Sequence, residues 1–232
     1  MPSSLRFDID HRPDFALLRV HLQPHQTVFA EPSAMATMDP GIQLKAGFRG
    51  GLLQSMGRAF GGESMIVNTF RAGPAGGEVS FAPATMGDVV HHTLDGASEL
   101  LLQRGAYVAS SEGVEVTGSW QGARGFFSGE GMVLLKARGQ GDLFFGTYGG
   151  LVEMDVREGL IVDSGYIVAF ESTLDYRIGV LPGLRLSAKI KSFIFGGEAL
   201  VCQFSGQGKV WVQTRAVQPF LRWLHPFRPE QR

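Results

Sequence analysis

The sequence FGGESMIV, at residues 60–67, returns as FSGEGMVL at residues 127–134 and as FGGEALVC at residues 195–202. Each copy has a phenylalanine, a small residue, a glycine, a glutamate, another small residue and then an apolar run. The three glutamates are spaced 67 and 68 residues apart. Because self-similarity at a fixed period is typical of repeat architectures, the chain is predicted to consist of three degenerate repeats.

A glycine-rich segment follows each copy of this motif. It reads ARGQGDLF at residues 137–144 and FSGQGKVW at 204–211, and it is looser in the first repeat, FRAGPAGGEV at 70–79. Apolar residues flank the glycines. Each segment is therefore predicted to be a β-hairpin, with two strands joined by a glycine turn.

A second unit precedes each hairpin. It reads GAYVA at residues 105–109 and GYIVA at 165–169, with a weaker echo, SAMA, at 33–36. The stretches before these units carry alternating apolar residues, and they span Leu17–Phe29, Val89–Leu102 and Leu151–Val162. Since such alternation is typical of strands, each repeat is predicted to have about four strands and the chain roughly twelve.

Helical spacing of apolar residues is confined to two short stretches, Gly51–Phe60 and Gln218–Leu224. Many strands with glycine turns and little helix predict an all-β fold, a β-sandwich made of three pseudo-repeats with one or two short helices. The chain is predicted to be a single all-β domain over residues 1–232. Its predicted divisions are approximate repeats at 14–83, 84–147 and 148–217 and a C-terminal aromatic and basic tail at 218–232.

Charge and composition limit the classes of function. The chain has 21 basic and 22 acidic residues, and it shows no basic stripe, so no nucleic-acid partner is expected. A single cysteine excludes an intrachain disulfide and fits a reducing compartment. Asp8 and Asp10 interrupt any secretory signal, and no apolar run is long enough to span a membrane. A cytoplasmic location without a transmembrane segment is expected.

The combined motifs resemble the altered-inheritance-of-mitochondria (Aim) family, a group of uncharacterised bacterial proteins with mitochondrial relatives. The matching stretches lie between about Phe15 and Thr214, and they are Gly50–Leu52, Gly62–Glu63, Gly129–Gly131, Gly165–Phe170, Gly197–Glu198 and Gly206–Thr214. Ser64 and Ala199 depart from the expected Gly-Glu-Gly, although a small residue is kept in both.

The resemblance implies a fold like that of the tryptophan RNA-binding attenuation protein, with a sandwich of double-stranded β-helix type that assembles into oligomers. It implies no reaction, because the family has no established catalytic residues to carry over. The mitochondrial relatives are linked to inner-membrane organisation, and this link is an inference about the family.

The repeated glutamates, Glu63, Glu130 and Glu198, have two interpretations. They could meet near a pseudo-threefold axis and bind a cation through their carboxylate oxygens. Alternatively, each could accept hydrogen bonds from turn backbone where its strand begins. The second interpretation is preferred, because a residue that repeats together with its turn glycine is typical of a folding motif.

The histidines do not predict a metal site. Enzymes with double-stranded β-helix folds hold a metal with two histidines two residues apart, since residues i and i+2 share a face of a strand. His91 and His92 are adjacent and should point to opposite faces, and Pro24 disrupts the strand between His21 and His25. No metal, cofactor or catalytic residue is therefore predicted.

Two further features have structural interpretations. Cys202 aligns with the apolar residues Val67 and Leu134, which predicts a core position and not a nucleophile. The Gly-Gln-Gly sequences at 139–141 and 206–208 precede strands, whereas a dinucleotide fingerprint must open a helix.

Seven apolar side chains are candidates for partner binding. Four lie in the insert between Phe48 and Phe60, and they are Leu52, Leu53, Met56 and Phe60. This insert either binds a partner or caps an open end of the sandwich. Three lie in the tail, and they are Phe220, Trp223 and Phe227. The tail could dock on its own domain, on a neighbouring subunit, on a membrane interface or on another partner.

Three hypotheses of function remain. The preferred one is a non-catalytic scaffold or binding protein that forms homo-oligomers and binds an unidentified protein, with peripheral membrane association through partners left open. The first alternative is a metal-dependent or small-molecule-binding enzyme that uses the sandwich interior. The second alternative is an RNA-binding protein. Only the fold analogy supports it, and a fold alone does not determine function.

Overall fold

The structure, a computed structural model, describes residues 4–48, 66–119, 134–181 and 200–228. Within these ranges the chain forms eighteen β-strands and one α-helix, so the predicted all-β fold is confirmed. The predicted number of strands is too low. The alternating stretches each divide into two strands at a turn, and a further strand precedes each glutamate motif.

The strands fall into three consecutive sets. The first set comprises β2 (Leu17–Leu22), β3 (Thr27–Ala30), β4 (Met35–Met38), β5 (Ile42–Phe48), β6 (Ile66–Ala72) and β7 (Gly77–Phe81). The second comprises β8 (Val89–Asp95), β9 (Leu100–Gln103), β10 (Tyr107–Ser111), β11 (Val114–Ser119) and β12 (Leu134–Gly146). The third comprises β13 (Leu151–Val156), β14 (Leu160–Asp163), β15 (Ile167–Glu171), β16 (Asp175–Val180), β17 (Leu200–Ser205) and β18 (Gly208–Gln213). One strand precedes the sets, β1 (Arg6–Asp10), and one helix follows them, α1 (Val217–Leu224).

The same antiparallel pairings recur in every set. The last strand lies between the first and the third, as in β2-β7-β4 and β13-β18-β15. The fifth strand lies between the second and the fourth, as in β3-β6-β5 and β14-β17-β16. In the second set the long strand β12 takes both central places. Buried apolar side chains of the described residues form three clusters in all.

The predicted hairpins are wrong. Among the described residues, β6 and β7 form no ladder with each other, nor do β17 and β18, and β12 continues through its glycines without a turn. The glycines instead mark corners where the chain passes from one sheet to another. Gly139 has φ 105°, and a Cβ there would lie 2.3 Å from the carbonyl oxygen of Gly113, so only glycine fits.

Two junctions join the sets into a larger sheet. Strand β3 pairs with β10, and β9 pairs with β15, which produces an eleven-stranded sheet. Two smaller sheets remain outside it, a four-stranded sheet in the order β1-β2-β7-β4 and a three-stranded sheet in the order β14-β17-β16.

The predicted core position of Cys202 and the predicted helix over Gln218–Leu224 agree with the structure. Cys202 is fully buried, and α1 begins one residue before the predicted helix. The strand register makes Leu135 and Asn68 the equivalents of Cys202, one residue further along than the sequence alignment placed them. The other predicted helix, Gly51–Phe60, lies outside the described residues.

Candidate partner-binding surface

The segments that connect the strand sets meet at one end of the protein. The amide of Ala16 donates to the carbonyl of Gly87, and Gly87 forms a parallel bridge with Gly149. The amide of Arg215 donates to the carbonyl of Tyr148 over 3.2 Å. Backbone hydrogen bonds therefore hold the beginning of the first set, the two connections between sets and the end of the third set together.

A buried carboxylate lies at the centre of these connections. Asp88 is 5% exposed and accepts two hydrogen bonds from the guanidinium of Arg12, at 2.7 and 2.8 Å. This hydrogen bonding raises the pKa of Arg12. The Thr147 hydroxyl accepts from the amide of Asp88 over 3.0 Å. A bidentate pair of this kind fixes geometry as well as charge, so it orders the segment before β2 against the connection before β8.

An open cleft of about 530 Å³ lies beside this meeting point. Its walls come from all four connecting segments and from α1, and the residues that line it are Asp14, Phe15, Met86, Tyr148, Gly149, Gly150, Tyr166, Thr214, Arg215, Ala216, Pro219, Phe220 and Trp223. Phe15 is 67% exposed and Met86 is 52% exposed. The cleft therefore presents large apolar side chains to solvent.

Helix α1 extends this apolar surface with a chain of aromatic rings. Phe220 packs edge-on against Tyr148 with the ring centroids 6.0 Å apart, and it stacks on Trp223 at 6.0 Å. Trp223 contacts Phe227 at 5.4 Å, and these last two rings are 64% and 68% exposed. Phe220 thus anchors the helix to the sheet ends, and the other two rings point outward. We define the tail surface as Phe15, Met86, Phe220, Trp223 and Phe227.

The charged side chains around the C-terminal part of the tail surface are basic. Between residues 217 and 228 the sequence carries Arg222, His225 and Arg228 and no acidic residue. Arg215 also lines the cleft, and Asp14 lines it beside Phe15. The surface is therefore an aromatic patch with a basic rim, an arrangement that suits an apolar segment carrying acidic side chains.

The structure places three of the predicted partner-binding residues together, Phe220, Trp223 and Phe227. The other four candidates, Leu52, Leu53, Met56 and Phe60, lie outside the described residues. The same holds for the repeated glutamates, Glu63, Glu130 and Glu198, so the two interpretations of them stay predictions. Sequence reasoning missed Phe15 and Met86. The signal available in the sequence was an apolar residue beside turn-forming residues, which are Pro13-Asp14 for Phe15 and Gly87 for Met86.

A second polar centre joins β1 to the second strand set. Asp142 accepts from the Leu5 amide at 2.7 Å and lies 2.8 Å from Nε2 of His91. The ring of Phe7 packs on that imidazole at 4.5 Å. Burial opposes ionisation of Asp142, but its hydrogen bonds to His91 and to the Leu5 amide outweigh this effect and lower its pKa. The carboxylate therefore has a structural role, in which it fixes the beginning of the chain.

His92 lies in a different environment from His91, as their adjacent positions on a strand predict. Its ring packs edge-on against Trp211 at 5.5 Å, and burial lowers its pKa. The Trp211 indole donates to Glu153 over 2.9 Å, and Lys209 donates to the same carboxylate. His92 is thus a packed side chain beside a network that joins β13 to β18.

The described residues contain no group of three or more histidine, cysteine, aspartate or glutamate side chains that could hold a metal ion. Burial raises the pKa of the Cys202 thiol to about 12, which disfavours the thiolate that a nucleophile needs. In the described ranges, then, the perturbed groups serve packing and hydrogen bonding, and the tail surface is an exposed apolar feature that remains to be explained.

These observations define an all-β protein whose consecutive strand sets share sheets and whose sheet ends carry an exposed aromatic surface. Residues 7–215 match the family described as Mitochondrial biogenesis AIM24, and the chain belongs to this family. The predicted family membership is confirmed.

Two similar proteins come from Streptococcus pyogenes. An uncharacterised protein of serotype M6 is 26% identical, over 97% of this chain and 92% of its own length. The crystal structure of a second protein has a TM-score of 0.78 and 24% identity, and it covers 97% of this chain and 100% of its own. The second likeness shows the fold alone.

None of the helices in the described ranges has the length and apolarity to cross a membrane.

Proposed function

We propose that the protein is a non-catalytic scaffold that assembles with copies of itself and binds a protein partner through its tail surface. The observation that carries this proposal is the exposure of Phe15, Trp223 and Phe227 around one cleft, each by about two thirds. Contiguous exposed apolar patches of this kind commonly mark interaction sites. The proposed location is the cytoplasm, which suits a single free thiol.

The chemistry of the cleft supports binding more than catalysis. The hydroxyl of Thr214 accepts from the Gly150 amide over 2.9 Å, and the ring of Tyr148 packs on Phe220. These polar side chains are engaged in holding the connecting segments. The aromatic rings supply large rigid contact areas, and such rings are enriched among the residues that dominate binding energy at interfaces.

The rim of the tail surface indicates the kind of partner. Arg222 and Arg228 flank the exposed rings of Trp223 and Phe227. We therefore expect the partner to present an apolar segment with acidic residues at its ends. Rim charges of this kind raise the rate of association and make it sensitive to salt.

Affinity purification from source cells tests the proposal. Tagged wild-type protein, the double variant Trp223→Ala/Phe227→Ala and the control variant Leu44→Ala are compared with an untagged strain by quantitative mass spectrometry. Leu44 is 42% exposed on β5, so the control removes a similarly exposed apolar side chain from another surface. Circular dichroism confirms that every variant folds.

We expect the wild type and the control to retain the same proteins, and the double variant to lose them by about tenfold or more, since aromatic hot spots cost at least about 2 kcal/mol each. If the double variant retains these proteins as well as the wild type does, the tail surface is not the binding site. If the wild type retains nothing beyond the untagged strain, the partner-binding function itself is wrong.

A further inference from the structure

Two junctions between strand sets follow one rule. The second strand of one set pairs with the third strand of the next set, as β3 does with β10 and β9 with β15. The registers correspond as well. In the first junction the opposed pairs are Ala30 and Ala109, Phe29 and Ser110, and Val28 and Ser111. In the second they are Leu102 and Ala169, Leu101 and Phe170, and Leu100 and Glu171.

The same rule leaves one second strand and one third strand over. Among the described residues, β14 pairs only with β17, and β4 pairs only with β7. They end the two small sheets, in the orders β14-β17-β16 and β1-β2-β7-β4. The sheet β14-β17-β16 therefore corresponds to one side of a junction, and the sheet β1-β2-β7-β4 corresponds to the other side.

The register of this missing junction follows from the two that exist. Val162 lies five residues before Ile167, as Leu102 lies five residues before Tyr107. The bulge in the pairing of β4 with β7 falls between Met35 and Thr37, the place that corresponds to the bulge between Ile167 and Ala169. Val162 therefore corresponds to Leu102, and Thr37 to Ala169.

This correspondence sets Ile161 opposite Met38. Both side chains are exposed, Ile161 by 51% and Met38 by 38%. Their equivalents in the second junction are buried, Leu101 at 6% and Phe170 at 0%. Two apolar side chains that face each other in the predicted register are thus left in solvent, whereas the chain buries the equivalent pair where the junction is formed.

The two edges are short, but they carry little of the other protection that is usual for edge strands. Natural edges carry lysine, proline or a charge that faces inward, because unpaired backbone groups recruit other strands. Strand β14 reads LIVD and β4 reads MATM, so neither contains a basic residue or a proline, and their one charged residue, Asp163, lies at the end of β14. Their sequences favour pairing.

We propose that β14 of one copy pairs antiparallel with β4 of a second copy, with Ile161 opposite Met38, and so completes a third junction between molecules. The proposal rests on the self-assembly part of the proposed function and specifies its interface. The contact is heterologous, because different edges of the two copies meet, so each added copy again presents both edges. Such contacts close into rings or continue as filaments.

Mixing two variants, each with one added cysteine, tests the pairing, because the native Cys202 is buried. Met38→Cys and Ile161→Cys are purified separately, mixed under mild oxidation, and analysed on a non-reducing gel. Directly opposed residues in an antiparallel pair have Cα atoms about 4.5–5.5 Å apart, which suits a disulfide. We expect a covalent dimer in the mixture and none in either variant alone. The matched control mixes Met38→Cys with Val152→Cys, whose native residue is 43% exposed on β13.

Light scattering on Ile161→Pro supplies a second readout, because a proline in β14 cannot donate a backbone hydrogen bond and disfavours strand pairing there. Ile161→Val is its matched control. We expect the wild type and Ile161→Val to be oligomers and Ile161→Pro to fall to the mass of one chain. If the wild type is an oligomer, but the mixture does not cross-link and Ile161→Pro keeps its mass, the edge pairing is wrong and self-assembly stands. A monomeric wild type overturns both.

Discussion

The junction of β9 with β15 and the pair of edges on β14 and β4 are built from the same kinds of strand, yet their environments differ. Phe170 in the junction is fully buried, and its counterpart Met38 on the edge is 38% exposed. The junction exists where the chain itself supplies the next strand set. The β14 and β4 edges stay open because the described chain has no further strand set to pair with them. Phe170 is covered by Tyr176 and Phe204 of its own set, and its strand is also paired with β9 of the neighbouring set, whereas β4 has no such neighbour among the described residues.

The interior of the small sheet β14-β17-β16 is nevertheless closed. Cys202 on its central strand is fully buried, and burial raises the pKa of its thiol to about 12, from an ordinary value of 9.0. Because the thiolate is the reactive form, we expect an aromatic disulfide reagent to react about a thousandfold more slowly with the folded protein than with the unfolded chain. The exposed thiol of Val152→Cys, on β13, serves as the control. Fast reaction of folded wild-type protein would mean that this interior is open.

The junction side of the comparison is tested by Phe170→Ala. The Phe170 ring packs against Tyr176 at 4.9 Å and against Phe204 at 5.0 Å, so truncation leaves a cavity between two sheets. We expect the free energy of unfolding to fall by about 3–5 kcal/mol, measured by urea denaturation. A loss below about 1 kcal/mol would contradict a tightly packed junction.

Asp142 connects β1 to the second strand set, so Asp142→Asn should have an intermediate effect. Replacing the carboxylate weakens the hydrogen bonds to His91 and to the Leu5 amide, and we expect a loss of about 1–3 kcal/mol at neutral pH. The control is Asp175→Asn, at an exposed position on β16.

The pH dependence of this variant follows from the lowered pKa of Asp142. The carboxylate contributes stability above its unfolded pKa, near 3.8, and that contribution is lost as the pH falls through its lower folded value. Asp142→Asn should therefore lose less stability than the wild type on acidification below about pH 4. Parallel losses in the two proteins would mean that Asp142 is not the group that titrates.

Met38→Ala should have the smallest effect on the folded chain. Its side chain is partly exposed on the β4 edge, so we expect a change of less than about 1 kcal/mol in the free energy of unfolding at low protein concentration. The same substitution should weaken self-association, which sedimentation velocity measures over a range of concentrations. A large loss of stability in the monomer would show that the edge is already packed within one chain.

The sequence predicted the all-β class, the family and α1, because strand alternation and glycine punctuation are local signals. Sequence reasoning failed where the structure depends on pairing between strands that are distant in the sequence. Gly139 was interpreted as a hairpin turn, although β12 continues through it, from its pairing with β9 and β11 to its pairing with β8 and β10. Only these distant partners distinguish a corner from a turn. The exposed tail rings Trp223 and Phe227 were recognised because a short aromatic and basic segment stands out by composition. Phe15 was missed because single apolar residues carry no periodic signal.

Hydrogen exchange measured at two protein concentrations tests the pairing of β14 with β4 most directly. At high concentration the amides of residues 160–163 and 35–38 should exchange slowly, and dilution should speed their exchange while residues 100–103 in the internal junction stay protected. That result is expected if a second copy completes the third junction. Exchange at residues 160–163 that is fast and independent of concentration would contradict the account.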